Sequence, residues 1–279
     1  MADTRSQILG QQRDWAAKRG IEVDGSGYTK TLEANLFKQP HPDTLTDFQS
    51  GDGDELGRGE RRGKMQALHS SSALVVNVFD YWRVRPLAWL AGAMSLPSEP
   101  LSLRFEAQFH TGLRGNPPNL DLALALADGR TIAVESKFTE PYAHANQAEP
   151  FKDKYFPIGS DLWRGHGLPR CQALADRLHR SELKFERLNA AQLLKHALGL
   201  AQSAVGKFGL FYLWYDFPSG EATQHGNEVK EFTDAIGSEL DFRALTYQGL
   251  LSLALSDLGT AHGPYKHYIH ERYFPTIHA

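Results

Sequence analysis

Three charged residues interrupt an apolar stretch in the middle of the sequence. Residues 117–138 read PPNLDLALALADGRTIAVESKF, and Asp121, Glu135 and Lys137 lie inside the pattern of two buried strands. Two carboxylates can hold a divalent cation, and an ammonium group beside them can stabilise the charge that develops on a phosphate. The stretch therefore indicates metal-dependent hydrolysis of a phosphodiester, provided that the three side chains lie together.

The turn between the two strands decides whether they do. The letters ADGR fit a three-residue loop, in which a type I turn is closed by a left-handed glycine at Gly129. A two-residue loop at Asp128-Gly129 would instead place Asp121 opposite Ser136 and split the carboxylates between the two faces. We prefer the three-residue loop because it keeps the leucines with Ile132 and Val134. Its predicted pairs are Leu126–Arg130, Leu124–Ile132, Leu122–Val134 and Leu120–Ser136 on one face, and Ala125–Thr131, Ala123–Ala133, Asp121–Glu135 and Asn119–Lys137 on the other.

Two carboxylates that face each other across a strand pair repel, and a cation between them removes that cost. We expect Asp121 and Glu135 to bind Mg²⁺, for which Mn²⁺ can substitute, together with a backbone carbonyl at Ser136. Lys137 lies on the same face as Glu135 and would contact a metal-bound water or a phosphate oxygen. The alternative is a structural ion pair in which Lys137 neutralises one of the two carboxylates.

The segments around the hairpin predict an α/β protein with a mixed central sheet. We expect an antiparallel meander of three strands between two helices, followed by a buried strand and then by a polar helix, a short strand and helical segments to Phe274. The predicted bounds are helix 64–82, strands 101–109, 119–126 and 130–138, helix 181–204, strand 207–217, helix 224–236 and strand 240–245.

Two stretches lack such periodicity. Residues 40–63 are rich in Gly, Asp and Pro and are predicted to be an irregular connector, and residues 139–181 form a long, aromatic, loop-rich segment. We find no repeat or linker that would divide the chain, so we expect one domain over residues 1–279. Its parts are an N-terminal extension with the connector (1–63), a core (64–217) and a C-terminal addition (218–279).

The motif and the order of elements resemble the PD-(D/E)xK nucleases, the restriction-endonuclease-like superfamily. In that superfamily a strand-borne Asp and a Glu-x-Lys on the next strand form the metal site. Here PPNLD resembles the first motif and Glu135-Ser136-Lys137 the second, although Asn119 and Leu120 separate the prolines from Asp121. The resemblance covers roughly residues 64–217 and implies an α-β-β-β-α-β core.

The same resemblance implies further site residues. Many members place a polar residue on the helix after the lysine-bearing strand, and Gln192 in AAQLLKHALGL resembles that residue, with Lys195 and His196 as neighbours. Some members add an acidic residue upstream of the Asp, for which Glu106 and Glu55 are candidates. The stretches HSSSALVVNVF and VESKFTEP are also similar to uncharacterised bacterial proteins of the restriction-endonuclease type.

From this resemblance we expect a Mg²⁺-dependent nuclease that hydrolyses DNA phosphodiester bonds as an endonuclease, alone or as a homodimer. One alternative is a catalytically inactive protein of the same fold that binds nucleic acid or a protein partner. Another is a structural protein whose hairpin carries an ion pair. An intact Asp, Glu and Lys set favours the enzyme.

Composition and charge limit the partners. The formal charge of −3 gives no overall basic footprint, so contacts with nucleic acid must be local. We expect them in residues 139–170, through aromatic stacking and through Lys152, Lys154, Arg164 and Arg170. The single cysteine, Cys171, excludes an internal disulfide. The N-terminal residues lack the apolar run of a secretory signal and no stretch is long enough to span a membrane, so we expect a cytoplasmic protein.

Overall fold

A five-stranded mixed sheet forms the centre of the protein. The computed structural model describes residues 3–51, 53–58, 61–143, 151–204 and 206–274. The strands are β1 (Gly57–Arg58), β2 (Arg61–Arg62), β3 (Pro100–Gln108), β4 (Asn119–Leu126), β5 (Thr131–Lys137), β6 (Phe208–Trp214) and β7 (Asp241–Thr246). The central sheet has the order β3-β4-β5-β6-β7, with antiparallel pairing from β3 to β5 and parallel pairing from β5 to β7. The predicted α/β fold with a mixed central sheet is confirmed.

Helices cover both faces of this sheet. They are α1 (Thr4–Lys18), α2 (Pro42–Ser50), α3 (Ser71–Phe79), α4 (Ala88–Ala93), α5 (Leu162–Gly165), α6 (Pro169–His179), α7 (Ala190–Ser203), α8 (Gly220–Ile236), α9 (Tyr247–Asp257) and α10 (Gly263–Tyr273). One core contains side chains of α1, α3, α9 and α10, and the other contains side chains of α6, α7 and α8. The sheet is therefore buried on both faces, which explains why β6 is apolar along most of its length.

The β4–β5 turn is the three-residue loop that the sequence predicts. Gly129 has a φ of 82°, in the left-handed region that favours glycine, and its N–H donates to the carbonyl of Leu126 (3.0 Å). The Leu126 N–H in turn donates to the carbonyl of Arg130 (2.9 Å). The ladder confirms four predicted pairs: Leu122–Val134, Ala123–Ala133, Leu124–Ile132 and Ala125–Thr131.

Both core helices begin later than predicted. Residues 64–66 form a 3₁₀ turn, and α3 begins only after Ser70, whose hydroxyl accepts the N–H of Ala73 (3.1 Å). The predicted helix from 181 begins at residue 190, after the capping residue Asn189. The residues before it are held out of the helix by Glu228, whose carboxylate accepts three backbone N–H groups, those of residues 186, 187 and 188. The strand predicted over 207–217 spans 208–214.

The predicted connector is not irregular throughout, because α2 lies within it. Pro42 stands in the first turn, and Phe48 is buried against Phe105 of β3 with a ring-centroid distance of 5.7 Å. Asp47 accepts the backbone N–H of Phe105 (3.0 Å), so α2 covers an edge of the sheet. The loop-rich segment 139–181 likewise contains α5 and α6, and its residues 144–150 lie outside the described residues.

The N-terminal residues are joined to the C-terminal helix through a buried arginine. Arg272 is 1% exposed and donates to the side chain of Gln12 (3.0 Å), to the carbonyl of Asn35 (2.7 Å) and to the Tyr268 hydroxyl (2.6 Å). Such hydrogen bonds compensate for removing the guanidinium from water. Residues 1–63, where described, therefore belong to the packed body of the protein. None of the described helices has the length and apolar character needed to cross a membrane.

Candidate active site

Three carboxylates occupy successive positions across three neighbouring strands. In the β3–β4 ladder, the pairs Phe105–Leu122 and Ala107–Leu120 flank Glu106 and Asp121, which therefore lie opposite each other. Registered β4–β5 pairing ends at Leu122–Val134, and the next residues outward are Asp121 and Glu135. Glu106 is 7% exposed and Glu135 is 2% exposed. The sheet thus places the upstream candidate acid and both main candidates side by side.

The two central strands are joined at this point by a side chain instead of a backbone pair. Asp121 Oδ2 accepts the N–H of Ser136 at 2.6 Å. The predicted pairs Asp121–Glu135, Leu120–Ser136 and Asn119–Lys137 lie beyond the end of the registered ladder, so the regular pairing predicted there does not form, although Asp121 and Glu135 remain neighbours. The physical reason is that the Asp121 carboxylate takes the N–H that a backbone carbonyl of β4 would otherwise accept. The N–H and C=O of one strand residue point the same way, so the Ser136 carbonyl also faces β4.

Lys137 contacts two of the predicted site residues. Its Nζ donates to Glu135 Oε1 (2.5 Å) and to Gln192 Oε1 on α7 (3.1 Å). Burial alone would lower the pKa of Lys137, but the charges of Glu135, Glu140 and Asp121 outweigh burial and raise it above its ordinary value. The ammonium group therefore stays charged, and Gln192 fixes where it points.

His196, predicted only as a neighbour of Gln192, lies against Glu135 in the structure. Its Nε2 lies 3.0 Å from Glu135 Oε2, and both side chains are almost fully buried. The two atoms are out of line for a hydrogen bond, so among the described residues Oε2 has no hydrogen-bond donor. The signal that could have found His196 is its spacing, because residues four apart on a helix share a face.

The three carboxyl groups have different affinities for protons. Burial, together with the negative charge of Glu135, raises the pKa of Asp121 well above its ordinary value. Burial also raises the pKa of Glu106 to about 7, although Asn119 Nδ2 donates to its Oε2 at 2.8 Å. Burial opposes ionisation of Glu135 as well, but Lys137 and the His196 ring outweigh it and lower its pKa to about 2. Negative charge is therefore crowded at this end of the sheet.

The remaining candidate acid, Glu55, lies on the Glu106 side of the row. Its charge contributes to the raised pKa of Glu106, and its carboxylate lies 3.8 Å from Lys64 Nζ. Ser136 offers only its backbone to the site, because its hydroxyl lies 2.7 Å from the Tyr247 hydroxyl on the opposite face of β5. The structure thus brings Asp121, Glu135 and Lys137 together and places Glu55 further out.

This set of donors fits a hard divalent cation. Burial disfavours the charged forms of Asp121 and Glu106, and one oxygen of Glu135 has no hydrogen-bond donor among the described residues. A bound cation would stabilise the negative charge of Asp121 and Glu106 and would give the Glu135 oxygen a partner. Among the described residues no three His, Cys, Asp or Glu side chains converge closely enough to enclose a metal ion. Mg²⁺ does not need such an enclosure, because it is usually held by one or two carboxylates and keeps several waters.

The predicted stacking of bases on the aromatic rings of residues 139–170 is wrong for three of those rings. Phe151, Tyr155 and Trp163 are buried in the core beside α6 and α7, so their rings are unavailable to bases. Arg170 is also committed, because its guanidinium donates to backbone carbonyls at the end of α8. These aromatic residues therefore belong to a packed core and not to a binding loop. Cys171 is buried in the same core, as expected for a structural thiol.

Comparisons with known proteins identify a family. A model of the family described as "Restriction Endonuclease associating with ARP" matches residues 11–274, nearly the whole chain. No curated protein and no solved structure matches the chain.

Proposed function

The chain belongs to the family of restriction endonucleases associating with ARP, and on that premise we propose that it is a Mg²⁺-dependent nuclease that cleaves DNA within the strand. The observation that carries the proposal is the contact set of Lys137, whose ammonium group lies between Glu135 and Gln192 while Asp121 binds the adjacent backbone. Two acids and one amine at one end of a sheet are the groups that phosphodiester hydrolysis requires.

Each residue has a distinct role in this proposal. Asp121 and Glu135 would hold the cation, with the carbonyl of Ser136 as a further oxygen donor, and Mn²⁺ would substitute for Mg²⁺. The chemistry that such a bound cation supplies is Lewis-acid polarisation of the phosphate and activation of water as a nucleophile. Lys137 would stabilise the negative charge that develops on the phosphate, because its ammonium group remains charged at neutral pH.

Two residues of α7 would position these groups. Gln192 accepts a hydrogen bond from Lys137 and so restricts the ammonium group to one direction. His196 packs against Glu135 and limits the rotation of its carboxylate. Both act through other residues and are positioning residues in this proposal.

A cleavage assay tests the function directly. Supercoiled plasmid and single-stranded DNA are incubated with the full chain in Mg²⁺, in Mn²⁺ and in EDTA. We expect nicked and linear products with either metal and none in EDTA, and we expect Asp121→Asn and Lys137→Met to abolish cleavage. Cleavage that persists in both variants would refute the site, whereas DNA binding without cleavage by the unaltered chain would favour an inactive nucleic-acid-binding protein.

The family description also names an association with ARP, and we extend that association to this chain as part of the proposal. Co-purification of the two proteins from cells that express both tests it. Light scattering on the purified chain determines whether it acts as a homodimer.

A further inference from the structure

Three lysines gather where α7 meets the segment that begins at Phe151. Lys195 lies on α7, while Lys152 and Lys154 lie at the 3₁₀ turn Asp153–Tyr155. The Nζ atoms of Lys154 and Lys195 lie 5.4 Å and 5.6 Å from the centroid of the same ring, that of Tyr155. Both ammonium groups therefore adjoin the Tyr155 ring, and the charges of Lys152 and Lys154 act on Lys195. We call Lys152, Lys154 and Lys195 the lysine cluster.

The lysine cluster has excess positive charge. In the part of the chain that the structure describes, no carboxylate lies within ion-pair distance of any of the three ammonium groups. Burial, followed by the charges of Lys152 and Lys154, lowers the pKa of Lys195. Like charges held together raise the free energy of the protein, and a bound anion would remove that cost.

The position of the lysine cluster relative to the candidate active site is set by α7. Lys195 follows Gln192 by three residues, which is less than one helical turn, and Gln192 contacts Lys137. Lys154 Nζ also donates to the carbonyl of Arg114 (2.5 Å), in the loop that leads from β3 into the strand of Asp121. Two independent connections therefore tie the lysine cluster to the end of the sheet where the carboxylates lie.

We infer that the lysine cluster is a phosphate-binding surface that holds the sugar–phosphate backbone of the DNA next to the bond that is cleaved. The inference rests on the proposed nuclease function, and it assigns the DNA contact to α7 and the turn at 153–155 instead of to aromatic stacking. Ammonium groups on flexible stems suit contacts that do not depend on base sequence. The lysine cluster would position the strand, and it would not select the cleavage sequence.

Salt-dependent binding tests this surface apart from catalysis. Binding of a fluorescent duplex is measured by anisotropy in EDTA, at several salt concentrations, for the unaltered chain and for the triple variant Lys152→Gln, Lys154→Gln, Lys195→Gln. The slope of log affinity against log salt is negative, and each lost phosphate contact makes it shallower by about 0.9. We therefore expect the magnitude of the slope to fall by about 2 to 3 in the triple variant. At 0.1 M salt the same loss corresponds to roughly 10²- to 10³-fold weaker binding.

Matched variants separate charge from packing. Changing Lys18, Lys30 and Lys207 to Gln removes three exposed charges elsewhere and should leave the slope nearly unchanged. Changing the lysine cluster to Arg keeps the charge and should restore the slope, which a merely structural role of the lysines would not predict. Thermal unfolding of every variant checks that it is folded.

The outcomes distinguish this inference from the proposed function. If the unaltered chain cleaves DNA but the Gln variant of the lysine cluster has the same salt slope as the Lys18, Lys30 and Lys207 variant, the phosphate-binding surface is refuted and the proposed nuclease function is retained. If binding depends on the lysine cluster but no metal supports cleavage, the nuclease is wrong and the surface stands. A chain that does not bind DNA overturns the surface.

Discussion

Replacing Glu106 with Gln should stabilise the metal-free protein at pH 8, although Glu106 is one of the candidate acids. The carboxyl group is buried, and burial raises its pKa from 4.5 to about 7. Its Oε2 accepts a hydrogen bond from Asn119, which the amide oxygen of Gln can accept equally well. The substitution therefore removes a disfavoured charge and retains the hydrogen bond.

The size of this effect follows from the pKa shift. In the folded protein the carboxyl group keeps its proton up to about pH 7, whereas in the unfolded chain it loses the proton above pH 4.5. The stability of the unaltered protein therefore falls as the pH rises through this window. One unit corresponds to about 1.4 kcal/mol, so the full shift is worth at most about 3 kcal/mol. The Gln variant lacks this loss, and its advantage should be absent below pH 4.5 and complete near pH 8.

Urea unfolding in EDTA at three pH values across that window measures this advantage directly. The matched control is Glu99→Gln, an exposed glutamate immediately before β3, whose effect on the free energy of unfolding should be small at every pH. Saturating Mg²⁺ should reduce the advantage of the Glu106 variant, because a cation compensates the carboxylate. An equal effect at the acidic and alkaline ends, or a destabilised variant near pH 8, would refute the reasoning.

Three further predictions concern the neighbouring elements. Gly199→Ala would place a Cβ against the Phe109 carbonyl and should destabilise the protein by about 1–3 kcal/mol in urea unfolding. The control is Gly226→Ala, which has open space around it and should be neutral or stabilising by up to about 1 kcal/mol. Mg²⁺ at about 100 times its dissociation constant should stabilise the unaltered chain by about 2.7 kcal/mol in thermal unfolding, and Asp121→Asn should lose this response; an equal response in both would contradict the metal site. Gln192→Ala should lower the cleavage rate about tenfold with DNA binding unchanged, because one hydrogen bond that directs Lys137 is lost; weaker binding at an unchanged rate would contradict a positioning role.

Local sequence signals predicted the hairpin well. The turn is encoded by four adjacent letters, and Gly129 supplies the positive φ that the three-residue loop requires. The register follows from the turn by counting, which is why the pairs near the loop, such as Leu124–Ile132, are correct. The counting fails only near the carboxylates, where Asp121 takes the N–H of Ser136. A functional side chain replaced the regular ladder there.

Features that depend on distant residues were not predictable from local patterns. The late start of α7 depends on Glu228, which binds the backbone of residues 186–188 from another helix. The burial of Tyr155 and Trp163 depends on packing beneath α6, so an aromatic-rich segment looked the same in sequence whether it formed a core or a surface. The contact between His196 and Glu135 could be predicted only by knowing that α7 crosses β5 at that position.

The single helix α7 carries residues for both proposed activities, which links cleavage to strand binding. Gln192 and His196 are four residues apart and reach Lys137 and Glu135, whereas Lys195 between them contacts the Tyr155 ring on the neighbouring segment. A rigid helix fixes the distance from these groups to the lysine cluster, and Gly199 lets that helix pack directly on the end of β3. Displacing α7 should therefore impair salt-dependent binding and also the cleavage of bound DNA, whereas removing charges from the lysine cluster should mainly weaken binding. This difference distinguishes a helix that aligns the strand with the carboxylates from one that only packs against the sheet.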